Sequence, residues 1–180
     1  MYGMVNKAVE DMVVSRHGED TWRLIKAKAG VDTEVFIGNE GYPDSITYSL
    51  VGAASEVLAL PAETILRAFG EHWVLETAQK GYGPMMRAAG STLGEFLAYL
   101  PHFHDRVALI YPKLEPPHFA VSERTANSLV LHYHSHRPGL TPFVEGLIEG
   151  LAKMFATPAA VALVKSRDKG DDHDAFRISW

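Results

Sequence analysis

The hydrophobic pattern of this chain changes its period at about Pro112, and this change restricts the fold more than any other feature. Before that point, apolar residues recur at helical spacing and predict a series of amphipathic helices. After it, "HFAVSE" and "SLVLHYHSHR" alternate as strands do, "GLTPFVEGLIEGLAKMFA" is helical, and "AAVALVKSRD" with "DAFRISW" predicts a hairpin. The sequence therefore predicts an α+β fold, with a helical part followed by a four-stranded antiparallel sheet that packs with helices.

Glycines and prolines set the predicted boundaries of the helices. The first helix carries apolar residues at Tyr2, Val5, Val9, Met12 and Val13. A fourth helix is predicted from Pro61 to about Gln79, with "KGYGP" as a break. Thr92 and Glu95 form a capping box, and Pro101 is expected to end that helix and begin another over about 101–111. We expect one domain over 1–180, with a movable helical subdomain at roughly 1–60 and a sheet with its helix at about 117–180.

Composition excludes several classes of function. The net charge is −5, from 17 basic and 22 acidic residues without a long basic run, so nucleic acid is not an expected partner. The absence of cysteine excludes disulfides, thiolate metal sites and cysteine nucleophiles. Lys7, Glu10 and Asp11 interrupt the N-terminal apolar residues, so neither a secretory signal nor a membrane span is predicted there. We expect a cytoplasmic protein that makes no membrane contact.

Two histidines compete for an inward position on the helix over about 101–111. His102 and His104 are two residues apart, which is about 200° around a helix, so they cannot serve the same pocket. His104 shares its face with Val107, Ala108 and Tyr111, whereas His102 is grouped with Asp105 and Arg106. His104 therefore points at apolar surroundings. Such a histidine is more often a core residue than a metal ligand, and both readings stay open at this point.

The odd positions of "LHYHSHRPG", residues 131–139, favour the interpretation that His104 is a metal ligand. Successive side chains of a strand point to opposite faces, so Tyr133, Ser135 and Arg137 share one face. Two hydroxyls and a guanidinium are suited to hold a pair of carboxylates at the edge of a cavity. An imidazole on an apolar helix face together with a carboxylate clamp on a strand describes a pocket for heme b, which carries two propionates.

The even positions of the same strand offer a different chemistry. His132, His134 and His136 could in principle chelate zinc or copper. Neighbours on one face lie about 7 Å apart, so all three would have to converge strongly, and a fourth ligand is not obvious. We expect these histidines to be packing or solvent-facing groups. A metal site around His173, in "GDDHD", is conceivable, but we expect a solvated hairpin tip there.

With these residues in view, the chain resembles the heme nitric oxide/oxygen binding domains, H-NOX, the family that includes the heme domain of soluble guanylate cyclase. The matching stretches are "MYGMVNKAVEDMV", "TYSLVGAASEVL", "LPHFHDRVALIYP", "EPPHF" and the Y-x-S-x-R signature of Tyr133, Ser135 and Arg137. The resemblance covers nearly the whole chain and is nearest in appearance to bacterial stand-alone members. It implies that His104 is the proximal iron ligand and that the signature holds the propionates. It also implies that Pro117 presses on the porphyrin and that Val5 contacts its distal face.

The distal side decides which gas binds. In the family, a distal tyrosine on the helix after the signature accompanies stable oxygen binding. Phe143 and Val144 stand in this stretch, "GLTPFVEGL", which has no tyrosine. The resemblance therefore predicts a five-coordinate ferrous heme that binds nitric oxide and carbon monoxide and excludes oxygen. Trp73 is a reservation, because its indole N–H could reach the distal side, although a core role is at least equally consistent with its position.

The function implied by the resemblance is sensing rather than turnover. Nitric oxide should weaken the iron bond to His104, relieve the distortion near Pro117 and let the N-terminal helices rotate. The expected effector is a separate protein, a histidine kinase or a cyclic-dinucleotide signalling enzyme, and the chain itself is not expected to be an enzyme. The alternatives are an oxygen-binding or nitric oxide-consuming heme protein and, third, a metal enzyme built on the H-x-H-x-H strand.

Overall fold

The computed structural model describes residues 1–110 and 115–180. The order of its elements is α1 (Gly3–His17), α2 (Glu19–Ala29), α3 (Asp44–Leu58), α4 (Ala62–His72), a π-helical segment (Trp73–Ala78), α5 (Gln79–Ala89), α6 (Leu93–Ile110), β1 (His118–Ser122), β2 (Ser128–His134), α7 (Thr141–Met154), β3 (Ala160–Lys165), a short 3-10 turn (Arg167–Lys169) and β4 (Asp174–Ser179). Helices thus precede a sheet, and the predicted α+β class is confirmed.

The sheet is antiparallel throughout, with strand order β1-β2-β4-β3. Strand β2 is interior and pairs with β1 and β4. Its two faces differ as the alternation predicts. Tyr133 lies opposite Phe119 and both are buried, whereas His134 lies opposite His118 and both are exposed. One face therefore covers the core, and the other carries histidines at the surface.

The buried apolar side chains of the described residues form two cores. The first joins α1–α4 and includes Val9, Trp22 and Leu50. The second lies under the sheet and includes Phe96, Leu97, Leu131 and Phe176. Trp73 packs against both cores. Helices α1–α3 correspond to the predicted movable subdomain at roughly 1–60, whose movement stays a prediction.

Helices α4 and α7 approach each other so closely that their contact requires glycine. A Cβ atom on Gly146 would lie 2.0 Å from the carbonyl oxygen of Arg67, and one on Gly70 would lie 2.1 Å from that of Phe143. Both distances are far below van der Waals contact, so no larger residue fits without moving a backbone. The contact fixes α7, the helix that follows β2, against α4, which ends directly before Trp73.

The predicted break at Pro101 is wrong. Helix α6 runs without interruption from Leu93 to Ile110, so the His104 helix begins eight residues before the predicted start at 101. A proline inside a helix costs about 3 kcal/mol. This helix buries Leu93, Phe96, Leu97, Leu100 and Phe103. Each fully buried side chain of this kind contributes about 1.5–3 kcal/mol, so their burial outweighs the proline.

The predicted break at "KGYGP" is wrong as well. Helix α5 contains Gly81, Gly83 and Pro84, and it buries Gly83, Met86 and Ala89 on one face. The capping box at the start of α6 is present: Glu95 N donates to Thr92 Oγ1 at 3.2 Å. Tyr111, predicted to share the face of His104, and Pro112 lie outside the described residues.

In the described part of the chain, a membrane span formed by one helix is not found, because none is both long and apolar enough. Helix α3 and the helical run over Ala62–Ala89 meet the length and composition limits only as a pair, bent by 114°.

Candidate functional site

An apolar cavity of about 250 Å³ lies between the helices and the inner face of the sheet. This is far larger than a site for a single buried water. It is lined by eight of the nine residues that the sequence singled out: Val5, Trp73, His104, Pro117, Tyr133, Arg137, Phe143 and Val144. The ninth, Ser135, is not among the lining residues. Most other lining residues are aliphatic or aromatic, so the cavity is suited to a large apolar ligand.

His104 reaches the cavity from the middle of α6. Its Nδ1 lies 3.3 Å from the carbonyl oxygen of Leu100, a distance at which Nδ1–H can donate. That tautomer leaves Nε2 with a free lone pair. Burial lowers the pKa of His104 below its ordinary value, with smaller opposing effects from Leu100 and Asp105. The imidazole is therefore neutral near pH 7, as a metal ligand has to be.

Phe119 lies between His104 and the signature. Its ring centroid is 4.8 Å from that of His104 and 5.4 Å from that of Tyr133. Burial raises the pKa of Tyr133, against a hydrogen bond with Ser135 that lowers it. The phenol therefore stays protonated and can donate a hydrogen bond at the edge of the cavity. Phe119 is the last residue of the "EPPHF" stretch. Its pairing with Tyr133 is set by the register of β1 and β2, which the sequence did not reveal.

Arg137 connects the signature to the N-terminal helices. Its Nε donates to Asp44 Oδ2 at 2.7 Å and its Nη1 to the Glu115 carbonyl at 3.0 Å. Asp44 also accepts from the N-terminal ammonium of Met1. Burial by itself would raise the pKa of Asp44, but the hydrogen bonds and charges of these two cations together bring it below its ordinary value. Among the described residues Nη2 of Arg137 has no hydrogen-bond partner. Sequence reasoning missed Asp44, since the pair is separated by 93 residues.

Ser135 and Arg167 shape the backbone around the signature. Ser135 Oγ accepts from the backbone N–H of Arg137 at 3.1 Å. Arg167 Nη1 donates to the carbonyls of Ser135 at 2.6 Å and Arg137 at 3.2 Å. The hydroxyl and the second guanidinium therefore hold the turn after β2 in place. The predicted strand over residues 128–137 is too long, because β2 ends at His134 and Ser135 and Arg137 lie in this turn. Arg167 had no motif to mark it in the sequence.

The predicted distal residues come from three helices. Val5 belongs to α1, Trp73 begins the π-helical segment, and Phe143 and Val144 belong to α7. Phe69 joins two of them, with ring centroids 5.1 Å from Phe143 and 6.1 Å from Trp73. In the part of the chain that the structure describes, the Trp73 indole N–H makes no hydrogen bond. The π-helical segment is a departure from α-helix often found at functional sites.

His173 does not lie at a solvated hairpin tip, and that prediction is wrong. It is only 6% exposed. Its Nε2 lies 2.8 Å from His132 Nδ1, and its Nδ1 lies 2.8 Å from Asp172 Oδ1. Antiparallel pairing of β4 with β2 brings it to the outer face of the sheet, a contact between residues 41 positions apart that local sequence cannot show.

The fold and the cavity together define a class of protein, an α+β fold with a large and mostly apolar cavity between its helices and its sheet. The family model described as "Haem-NO-binding" matches residues 2–163. The chain therefore belongs to this family, the H-NOX domains, which bind heme and serve as gas sensors. The resemblance stated from the sequence is confirmed.

Curated relatives and solved structures agree with this assignment. The chain is 30% identical over 182 residues to "Soluble guanylate cyclase gcy-35" of Caenorhabditis elegans and 26% identical over 182 residues to "gcy-31" of the same organism. It spans 26% of the length of each. An Fe(II) unliganded H-NOX protein from K. algicida is similar with a TM-score of 0.86 and 27% identity, over 99% of this chain and 96% of that one. An H-NOX protein from S. oneidensis in the Fe(II)NO state shares the fold, with a TM-score of 0.89 and 23% identity over 99% and 98% of the two chains.

Proposed function

We propose that this chain binds heme b through His104 and acts as a sensor of nitric oxide and carbon monoxide. One observation carries the proposal: a neutral imidazole enters an apolar cavity with its Nδ1 near a backbone carbonyl. Histidines that ligate metals donate their other N–H in this way, which fixes the tautomer and the orientation of the ring. Heme held by His104 would supply an iron that can take up a diatomic gas.

The signature residues are proposed to anchor the propionates. Tyr133 is suited to this because its buried hydroxyl stays protonated, and Arg137 because its Nη2 has no partner among the described residues. Ser135 does not line the cavity, so its proposed part is to hold the backbone of Arg137. Pro117 lines the same cavity, and its fixed φ makes it a stiff contact for the porphyrin.

The proposed selectivity for nitric oxide and carbon monoxide over oxygen rests on the distal lining. Val5, Phe143 and Val144 line the cavity and offer no hydrogen-bond donor from their side chains. A donor favours dioxygen, whose outer atom becomes partly negative, much more than it favours nitric oxide. The indole N–H of Trp73, which lines the cavity and has no hydrogen-bond partner in residues 1–110 and 115–180, supports the alternative, an oxygen-binding heme protein.

We further propose that the signal leaves through α1–α3 and passes to a separate cytoplasmic protein, a histidine kinase or a cyclic-dinucleotide enzyme. Two contacts support a coupled movement of these helices: Arg137 with Asp44, and Tyr48 Oη with the Pro138 carbonyl at 2.9 Å. Both join α3 to the signature and the turn that follows it.

The ligand is tested by replacing His104→Gly in the full chain and measuring the heme absorption of the purified protein. We expect heme to be lost and to return when imidazole is supplied, because the free imidazole fills the space left by the side chain. His102→Gly is the matched control, since it lies on the same helix and is exposed. Retention of ordinary heme absorption by His104→Gly without imidazole would overturn the proposal.

A further inference from the structure

Four histidines gather on the outer face of the sheet, away from the cavity. We call His118, His132, His134 and His173 the histidine cluster. The ring of His134 stacks on that of His173 with centroids 4.2 Å apart, and the ring of His118 lies 5.7 Å from that of His134. The centroids of His132 and His173 are 5.0 Å apart. The proposed gas site uses none of these side chains.

Hydrogen bonds orient two rings of the cluster from outside. Ser122 Oγ lies 2.7 Å from His132 Nε2, and Asp172 Oδ1 lies 2.8 Å from His173 Nδ1. The two remaining nitrogens, His132 Nδ1 and His173 Nε2, face each other at 2.8 Å. In the neutral pair, His132 Nδ1–H donates to the lone pair of His173 Nε2. A carboxylate behind an imidazole is the usual arrangement around metal-ligating histidines.

Burial and neighbouring charges keep the imidazoles of His132 and His134 unprotonated, so that their ring nitrogens can bind a metal ion. Burial lowers the pKa of both His132 and His134, and the neighbouring His173 lowers them further. These imidazoles are therefore neutral near pH 7. Lys165 is the competing cation, with Nζ 3.6 Å from Asp172 Oδ1, while Glu123 is a further carboxylate that acts on His132.

We propose that the histidine cluster binds one divalent transition-metal ion, with His132 and His173 as its first ligands and Cu²⁺ preferred over Zn²⁺. In residues 1–110 and 115–180 no three histidine or carboxylate side chains stand ready to hold a metal together. The site is therefore built on two imidazoles, with water in other positions, and the exposed His134 reaches the ion only after its ring turns. Imidazole ligands suit Cu²⁺, Ni²⁺ and Zn²⁺, and affinity for such a site rises from Ni²⁺ to Cu²⁺ and falls at Zn²⁺.

Binding the ion requires a change of tautomer and no change in charge. The proton of His132 moves from Nδ1 to Nε2, where it donates to Ser122 Oγ, and Nδ1 becomes a ligand. His173 keeps Nδ1–H on Asp172 and offers Nε2. Small rotations of both rings then admit the ion in place of their hydrogen bond. Because ligand nitrogens must be unprotonated, binding weakens at a pH low enough to protonate His132.

The experiment uses the heme-loaded full chain after treatment with a chelator and its removal. The protein is dialysed to equilibrium against Cu²⁺ alone or Zn²⁺ alone, and iron and the second metal are counted by elemental analysis. We expect each chain to bind one metal ion in addition to the heme iron, and to bind Cu²⁺ more tightly than Zn²⁺. His132→Gln and His173→Gln should each weaken binding at least tenfold. Asp172→Asn, which removes no ligand, should weaken it about 10- to 100-fold.

Matched variants separate this site from general adsorption and from misfolding. His17→Gln replaces an exposed histidine outside the cluster and should bind as the parent does. His173 is buried, so if His173→Gln fails to fold, Asp172→Asn and His132→Gln decide the result. In the Zn²⁺ complex, ring ¹⁵N resonances of His132 and His173 should shift while that of His17 does not. Failure of the parent to bind a second ion, or equal binding by the parent and His132→Gln, overturns the proposal.

Discussion

At the scale of single residues, Phe143 is where the proposed choice of gas can be altered most directly. It lines the cavity from α7 and packs against Phe69. Phe143→Tyr adds one hydroxyl donor, and a neutral hydrogen bond is worth about 1 kcal/mol net. We expect the ferrous variant to bind oxygen at least about fivefold more tightly than the parent, with little change for nitric oxide. Both affinities can be measured by visible absorption.

Trp73→Phe provides the control, because it removes the indole N–H and keeps an aromatic ring. If no side chain on the distal side donates a hydrogen bond to the bound gas, Trp73→Phe should bind oxygen and nitric oxide with the same affinities as the parent. A parent whose ferrous spectrum changes in air and loses that change in Trp73→Phe would show that Trp73 serves oxygen. In that case selectivity against oxygen would be wrong, while heme binding through His104 would stand.

The residues of the site differ in how visible they are in the sequence. His104 was distinguished from His102 by its spacing to Val107 and Ala108, and the structure places it at the cavity while His102 is exposed. Tyr133 and Arg137 are marked by their alternate spacing in the sequence, although β2 ends at His134 and Arg137 lies in the turn that follows it. Asp44 carries no such mark, because only the tertiary fold brings its carboxylate to Arg137, 93 residues away.

At the scale of helices and strands, sequence rules failed where packing outweighed a local preference. Pro84 and Pro101 both lie inside helices and were expected to break them. Local rules count the lost hydrogen bond and the steric clash, but they do not count the apolar face that a continuous helix buries. The strands and α7 were predicted more closely, since their alternating and helical periods agree with the faces that they bury.

The contact of α4 with α7 leads to a prediction for Gly146→Ala. The new Cβ would lie 2.0 Å from the carbonyl oxygen of Arg67, so the helices have to separate. We expect a loss of at least about 1–3 kcal/mol in the free energy of unfolding, the usual cost of overpacking. Urea unfolding followed by circular dichroism measures it.

Gly52→Ala is the matched control for this glycine. Gly52 lies inside α3, is exposed, and a Cβ there would meet nothing within 4 Å. Alanine is a better helix former, so this change should raise the free energy of unfolding by up to about 1 kcal/mol. If Gly146→Ala were as stable as Gly52→Ala, the close approach of α4 and α7 would be wrong.

At the scale of the whole molecule, neutral histidines are spread through both halves of the fold. Burial is the largest cause of a lowered pKa for His72, His104, His132 and His134. His72 is only 8% exposed, and among the described residues its Nε2 has no hydrogen-bond partner. Folding therefore disfavours the protonated form of several imidazoles, in the helical core as well as beside the sheet.

This arrangement makes stability depend on pH in a definite direction. The unfolded chain takes up protons at about pH 6.5, where the folded chain still holds these histidines neutral, so the free energy of unfolding falls as the pH drops below about 6.5. His72, being buried, should contribute up to about 1.4 kcal/mol per pH unit until its folded pKa is reached. Urea unfolding at pH 7.5 and 5.5 should show the fall, and His72→Gln should reduce it, whereas His17→Gln, at an exposed position, should not. A parent that is equally stable at both pH values would contradict the burial of these neutral side chains.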